Sequence, residues 1–269
     1  MPIRIIRTSC KRPLGKAYNK GMKSFIAFLI LLCGLSTSFS QNTPTGPSFG
    51  NGLLPIFGTN TAFSANLQFQ VAAMTITGKF YSDDTKTRFE IGLDSIQGIT
   101  LMPSVTSQMK SMGMGDYIVI DRPEDNISYM VYPGMSAYIP STKVPADFAD
   151  ASMQMQTTDI GQVMVDGHVC DKKTVVITNS RGQTRNFTAW FATDLSGFPV
   201  QIRSALKDGS TVTMLFKNVV LGSPDSTLFD APSGYKKYDS AAALMLSVIS
   251  TTGWDTYQPN PNDFLPGNL

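Results

Sequence analysis

The chain has 269 residues, 42% of them hydrophobic and 16% charged, and its 22 Lys and Arg nearly balance its 20 Asp and Glu. Seven of the positive residues and none of the negative ones lie in residues 1–40, so the remainder carries 15 positive and 20 negative side chains. A mildly acidic chain lacks the basic surface that attracts nucleic acid or anionic lipid, and we predict no nucleic-acid partner.

The N-terminal segment has the features of a secretory signal peptide. Phe25–Leu35 is a continuous apolar run, with Lys20 and Lys23 before it and small polar residues after it. The run is too short for a bilayer span of roughly 20 residues. We therefore predict cleavage after Ser40, a periplasmic or secreted protein, and no transmembrane segment in the mature chain.

The cysteines agree with this interpretation. Cys10 and Cys33 lie in the predicted leader, which leaves Cys170 alone in the mature chain and predicts no intrachain disulfide. Leu32 precedes Cys33 where a lipoprotein signal needs a small residue, so we predict no lipid anchor. Met22 is an alternative start to the first methionine, because the residues before it are basic and lack an apolar pattern.

The first predicted elements of the mature chain are strands. Residues 41–60 are rich in Gly, Pro, Asn and Thr and are predicted to form a flexible leader. Strands are predicted next at Leu67–Ile76, Gly78–Tyr81 and Thr85–Leu93. In the third strand, alternation places three apolar residues on one face: Phe89, Ile91 and Leu93.

A helix interrupts the strands. Pro103–Met112 departs from a period of two, and Val105, Met109 and Met112 lie at helical spacing before Gly113. We therefore expect these three side chains to face the sheet as one apolar stripe.

The following segments alternate between strand and helix. Asp116–Asp121 and Ile127–Tyr132 are predicted to form a hairpin, with a short strand at Ala137–Pro140. Further helices are predicted at Pro145–Met155 and Ala241–Ile249.

Residues 166–238 indicate an antiparallel meander. Asp208-Gly209 is a strong hairpin-turn signal between two alternating segments. We predict an α+β fold, mainly antiparallel β, with a few short helices. The four predicted strands are Lys173–Thr178, Asn186–Thr193, Val200–Leu206 and Thr211–Val220.

Several motifs are similar to those of an uncharacterised family of exported bacterial domains, which in turn resembles the LolA/LolB-like lipoprotein carrier superfamily. They are MGMGDYIVIDRPEDNISYMVYPGMSAY, VDGHVC, TAWFATDLSGFPVQI and LFDAPSGYKKY. The resemblance implies a single strongly curved sheet, a half-barrel, with short helices covering its concave face. It also divides the chain into a basic extension plus signal peptide (1–40), a leader (41–60), the curved-sheet domain (61–239), and a short helix with a Pro/Asn-rich tail (240–269).

In the carriers, the space between sheet and helices holds lipid acyl chains. The resemblance therefore implies a hydrophobic small molecule or lipid as the partner, bound in an apolar pocket without a cofactor. The predicted ligand-binding residues are Phe89, Ile91, Leu93, Val105, Met109, Met112, Tyr129, Phe187 and Phe191.

An arginine on an early strand is a feature of the carriers, and Arg88 is its positional candidate here. Alternation puts Arg88 on the same face as Glu90 and opposite Phe89 and Ile91. We therefore predict that Arg88 faces water rather than the pocket.

The sequence gives weaker evidence for metal binding and for catalysis. The group Met109, Met112 and Met114, with a second pair at Met153 and Met155, could bind Cu(I), but packing or cavity lining explains these methionines better.

Residues Asp166, His168 and Cys170 alternate at a strand start, but a structural metal site normally takes four ligands, so we predict no metal there. His168 is the only histidine, no Gly-x-Ser-x-Gly elbow is present, and we predict no catalytic residues.

The function is left with two main hypotheses. The first is an exported, non-catalytic protein that binds a hydrophobic ligand. The second is a structural or interaction protein of the cell envelope with a filled core, whose partner is an envelope protein. Both faces of the segment from Phe187 to Phe191 are apolar, with Trp190 opposite the other rings, which fits either a covered central strand or a cavity wall.

Overall fold

The computed structural model describes residues 53–98, 103–142, 153–206 and 209–252. The predicted signal peptide and residues 253–269 lie outside these ranges. The helices are α1 (Leu54–Phe57), α2 (Pro103–Ser111) and α3 (Ala241–Thr252). The strands are β1 (Phe63–Val71), β2 (Met74–Asp83), β3 (Lys86–Gln97), β4 (Asp116–Arg122), β5 (Ile127–Tyr132), β6 (Ala137–Thr142), β7 (Gln154–Val165), β8 (His168–Thr178), β9 (Thr184–Ala192), β10 (Phe198–Ala205), β11 (Thr211–Leu221) and β12 (Lys236–Lys237).

All twelve strands of the described chain form one open, curled sheet. Their order is β12-β6-β5-β4-β3-β2-β1-β11-β10-β9-β8-β7. Two meanders, β1–β6 and β7–β11, meet at the β1–β11 pair in the middle of the sheet. Every neighbouring pair is antiparallel except β12 with β6, and the predicted fold class is confirmed. Among the described residues, none of the helices has the length and apolar character needed to cross a bilayer.

The pairing register explains how one face becomes the core. Residues paired across antiparallel strands share a face of the sheet. One transverse row crosses five strands from β2 to β6 and is entirely apolar: Phe80, Phe89, Val119, Met130 and Ile139. The helices α1, α2 and α3 cover this face with Phe57, Met109 and Leu244, all buried.

The opposite face of the β2–β6 half is also covered. Ile120 and Val131 are buried there beneath Phe229, which lies in a short 3-10 turn after β11. This second, smaller apolar cluster makes the β2–β6 half of the sheet a central layer.

Two predicted boundaries are wrong. The run Leu67–Ile76 is not one strand, because the chain turns at Ala72 and Ala73, where Ala72 has a φ of 50°. Alanine carries no turn signal, so the sequence pattern passed over this hairpin. The segment predicted as a leader also contains a helix: Leu54–Phe57 is helical, and Ile56 and Phe57 are buried in the core.

The predicted helix Pro145–Met155 falls mostly outside the described ranges, and its described end is not helical. Residues 143–152 lie outside the described ranges, and Met155 belongs to the strand β7, Gln154–Val165. The sequence did not predict β7 because almost all of its residues are exposed. A strand with no buried face lacks the alternation of apolar and polar residues that indicates a strand. The other two helices are confirmed as α2 and α3, with α3 ending three residues later than expected.

Candidate apolar binding site

Eight of the nine predicted ligand-binding residues belong to the main core. Phe89, Ile91 and Leu93 are buried on β3, and Phe187 is buried on β9. Met109 is buried on the inner face of α2. The remaining three of the eight are half-buried and pack against the same cluster: Val105, Met112 and Phe191.

Tyr129 lies elsewhere, which corrects its assignment to this site. It alternates with the core-facing Met130 and pairs with Ile120 on the opposite face of the sheet. There its ring contacts Tyr138, with 5.9 Å between ring centroids, in the second apolar cluster. The sequence could not place it, because both faces of β5 carry apolar side chains.

One half of the core is filled by interlocked aromatic rings. We call Phe57, Phe63, Phe80, Phe198 and Phe216 the phenylalanine cluster. The ring centroids of Phe63 and Phe198 are 4.7 Å apart, and Phe216 contacts four of these rings at 5.7–5.9 Å. Edge-to-face geometry at these distances is favourable beyond simple burial, so this half is packed by the protein's own side chains.

Five methionines of the main core lie on or just after α2, on β5 and in the turn between β5 and β6. We call Met109, Met112, Met114, Met130 and Met135 the methionine cluster. Met109 and Met114 are buried, whereas the other three are only half-buried. Solvent therefore reaches part of this apolar cluster.

Close backbone contacts hold the end of α2 against the sheet. Gly113 follows the helix with a φ of 77°, and a Cβ there would lie 2.5 Å from the carbonyl oxygen of Gly134. The same position would be 3.0 Å from Cγ of Met135, which places Met135 beside the helix end. Met114 donates its backbone N–H to the carbonyl of Met109 at 2.9 Å.

The outer side of α2 is polar, as the helical spacing predicts. Lys110 Nζ lies 2.6 Å from Asp94 Oδ2, and both side chains are largely exposed. Ser107 and Ser111 are also exposed, opposite the stripe of Val105, Met109 and Met112. An exposed ion pair of this kind stabilises by only about 0–1 kcal/mol, so α2 is held chiefly by its apolar stripe.

A polar row, buried at Ser82, Asp121 and Ser128, crosses the core face beside the apolar row, and the sequence analysis missed it. The hydroxyl of Ser128 donates to Oδ1 of Asp121 at 2.6 Å, and both residues are buried. A pattern search could have found the row only with the strand register in hand, because its members come from five strands: Ser82, Thr87, Asp121, Ser128 and Ser141.

Arg88 lies on the face opposite the main core, as alternation predicts, but it does not face water. Its side chain is 15% exposed, and its Nε donates to Glu90 at 2.8 Å. Its Nη1 donates to the carbonyl of Leu228 at 2.9 Å. Arg88 therefore fastens the turn that covers the second apolar cluster, a contact between residues 140 positions apart that the sequence does not reveal.

The side chains of His168 and Cys170 lie in different environments. His168 Nδ1 lies 2.8 Å from Oδ2 of Asp194, and this hydrogen bond lowers the pKa of the Asp194 carboxyl. Cys170 is completely buried, and burial raises the pKa of its thiol, which makes it a poor nucleophile.

Candidate metal ligands do not gather in the described chain. Within the described ranges, no three His, Cys, Asp or Glu side chains lie close enough to hold a metal ion. Met155 is exposed on β7 rather than carried by a helix beside Met109, so the two methionine groups of the sequence do not share the predicted helical cover.

Comparisons with known proteins give structural similarity only. No protein-family model and no curated protein matches the chain. Solved structures with similar folds were found, among them an uncharacterised conserved protein of Thermus thermophilus with a TM-score of 0.42 and 11% identity. That match covers 70% of this chain and 96% of the other.

Two further matches are to a lipoprotein and to a LolA superfamily protein. The lipoprotein LppX of Mycobacterium tuberculosis matches with a TM-score of 0.36 and 11% identity, over 65% of this chain and 93% of its own. The LolA superfamily protein, from Nitrosomonas europaea, matches with a TM-score of 0.31 and 12% identity, over 70% and 98%. Similarity at this level carries neither a ligand nor an activity over to this chain.

Proposed function

We propose that the protein is exported and binds a hydrophobic ligand, a lipid or a lipoprotein acyl chain, at the methionine cluster beneath α2. The observation that supports this is the half-burial of Met112, Met130 and Met135, which pack against the main core. The methionine cluster itself contains no acid, base or strong nucleophile, so the ligand is held without being transformed.

Methionine suits this role physically. Its unbranched thioether side chain adapts to irregular shapes, and surfaces that bind varied apolar partners are rich in it. A ligand that enters displaces flexible side chains of the methionine cluster and leaves the phenylalanine cluster intact. Removing apolar ligand surface from water contributes ~25 cal/mol per Å² before the cost of ordering the ligand and the helix.

Entry requires α2 to move. The exposed ion pair between Lys110 and Asp94 adds little to the free energy needed to move α2. Met109 is the one buried residue of the helix. The helix is therefore the lid of the proposed site, and Val105, Met109 and Met112 are the side chains that a bound acyl chain would contact.

The test is binding of a fluorescent fatty acid to the purified mature protein. Met109→Asp combined with Met112→Asp places two charges where the acyl chain lies, and affinity should fall at least tenfold, which is ~1.4 kcal/mol. Lys110→Ala, on the outer face of the same helix, is the matched control and should bind as wild type does. Met112→Asp alone, at a half-buried position, keeps the test decisive should the double variant unfold by circular dichroism.

A second candidate function is supported by the phenylalanine cluster. A core filled by its own rings fits a structural or interaction protein of the cell envelope, which needs no ligand. Wild-type protein that binds no fatty-acid probe would favour this function over the first. Cu(I) binding by the methionine thioethers is a minor alternative, which titration of the same variants with Cu(I) would distinguish.

Export belongs to the proposal, since its support comes from residues 1–40, outside the described ranges. The apolar run Phe25–Leu35 and the small residues before Gln41 support cleavage after Ser40. N-terminal sequencing of protein from the cell envelope should begin at or near Gln41; retention of Met1 or Met22 would contradict export.

A further inference from the structure

The strand β7 forms one edge of the sheet and is exposed on both faces. Eleven of its twelve residues are exposed, and it pairs on one side with β8 from Gln154 to Val165. No described strand lies on its other side. Such an edge presents backbone N–H and C=O groups to which another strand can add.

The opposite edge of the same sheet carries a short, positively charged strand. There β6 is covered by β12, a two-residue strand made of Lys236 and Lys237. A short edge strand carrying lysines is a known way of preventing edge-to-edge association. The chain therefore protects one edge with charge and leaves the other, longer edge without it.

The chemistry of β7 contains few obstacles to strand pairing. It has no Lys, Arg or Pro, and its one charged residue, Asp159, lies 3.0 Å from Lys173 on β8. A bulge at Ile160 interrupts the register and leaves Gln154–Asp159 as six regular residues, the length of an average strand. Exposed apolar side chains accompany the edge: Met155, Ile160, Val163 and Met164.

We propose that β7 pairs antiparallel with β7 of a second copy of this chain, so that the two sheets become continuous across a two-fold axis. A second copy fits because its edge has the same length and twist, and because Asp159 is neutralised within each copy, so the two edges approach without repulsion. A two-fold axis makes the interface self-complementary, as in most homodimers.

The size of the contact sets its strength. An edge of twelve residues is about 40 Å long but only one strand deep, so a contact along it buries less than the ~800 Å² per partner of a stable interface. Backbone hydrogen bonds and the exposed methionines supply most of the attraction. The dissociation constant is therefore expected in the micromolar range.

The test is the oligomeric state of the mature protein by analytical ultracentrifugation between about 1 and 200 µM. Wild type should shift from monomer to dimer across this range. Met155→Lys with Thr157→Lys adds two lysines to this edge in each copy, like those that β12 carries at the opposite edge, and should weaken dimerisation at least tenfold. Val220→Lys with Leu246→Lys, at exposed apolar positions outside β7, should dimerise as wild type does.

Hydrogen exchange gives an independent measurement on the unmodified chain. Amides of Gln154–Asp159 should exchange more slowly at about 200 µM than at about 1 µM, while those of β11 should be unchanged over the same ~200-fold range of concentration. Wild type that is monomeric at the highest concentration overturns the proposal. Dimers that persist equally in both double-lysine variants overturn it as well, because the interface then lies elsewhere.

Discussion

Trp190 is buried by neighbours that carry charge. The ring is 5% exposed, with Lys172 Nζ 5.5 Å and Arg203 Cζ 5.3 Å from its centroid, each on an adjacent strand. The alkyl stems of such cations cover apolar surface while the charged ends interact with the ring. Neither pairing is visible without the strand register.

Trp190→Ala should therefore lower the free energy of unfolding by about 3–5 kcal/mol, through lost burial and the cavity that remains. Urea denaturation of both proteins measures this change. Val220→Ala, at a position 64% exposed, is the control and should stay within about 0.5 kcal/mol of wild type. Equal midpoints for wild type and Trp190→Ala would mean that the ring contributes nothing to the folded state.

Asp194 should produce a measurable acid dependence of stability. Its pKa is lowered in the folded state, chiefly by the hydrogen bond with His168, so the stability it contributes is present above the unfolded pKa of about 3.9. That stability is lost as the pH falls through the lower folded pKa. Asp194→Asn should therefore differ most from wild type near neutral pH and least well below pH ~4.

Urea midpoints measured across this acid range test the Asp194 prediction. His168→Gln removes the hydrogen-bond partner of Asp194. The difference in stability between this variant and wild type should show the same dependence on pH. A constant difference between Asp194→Asn and wild type down to the lowest pH would show that the pair has no linked titration.

At the scale of the element, the sequence predicted the helix α2 but did not predict the strand β7. The α2 stripe of Val105, Met109 and Met112 has helical spacing, because one face of the helix must meet the core, and its prediction is confirmed. The strand β7 has no such constraint, because nothing described covers either of its faces. A pattern search that relies on burial finds the first and misses the second.

The α2 helix should be among the least protected elements in native-state hydrogen exchange. It buries Met109 alone, whereas α3 buries Leu244 and Val248, so its local opening costs less. Amides of α2 should exchange faster than those of α3, and Lys110→Ala should accelerate them no more than about five-fold, as an exposed ion pair allows. Slower exchange in α2 than in α3 would contradict the proposal that α2 is a lid.

At the scale of the whole molecule, the curled sheet has a central seam and two unlike edges. The β1–β11 pair joins residues from the two ends of the described chain, and the phenylalanine cluster packs over this seam. The methionine cluster lies towards the lysine-protected edge, under α2. The proposed ligand site and the proposed dimer edge are thus on separate parts of the sheet, and each can be tested without disturbing the other.

By itself, the sequence determined the elements whose side chains alternate because one face is buried. The prediction of β3, with Phe89, Ile91 and Leu93 inward and Arg88 outward, depended only on a period of two. The same reasoning predicted the antiparallel class of the sheet and the position of α2.

Only the tertiary structure decided what covers each face and which strands become edges. Arg88 is buried by a turn 140 residues away, and Tyr129 packs in a second cluster, since a strand with two apolar faces has no preferred side until its neighbours are placed. Gln154–Val165 is an edge because of the order in which twelve strands pair, and that order depends on contacts distant in the chain. Local periodicity reports whether a face is buried, but it contains no information on the partner that buries it.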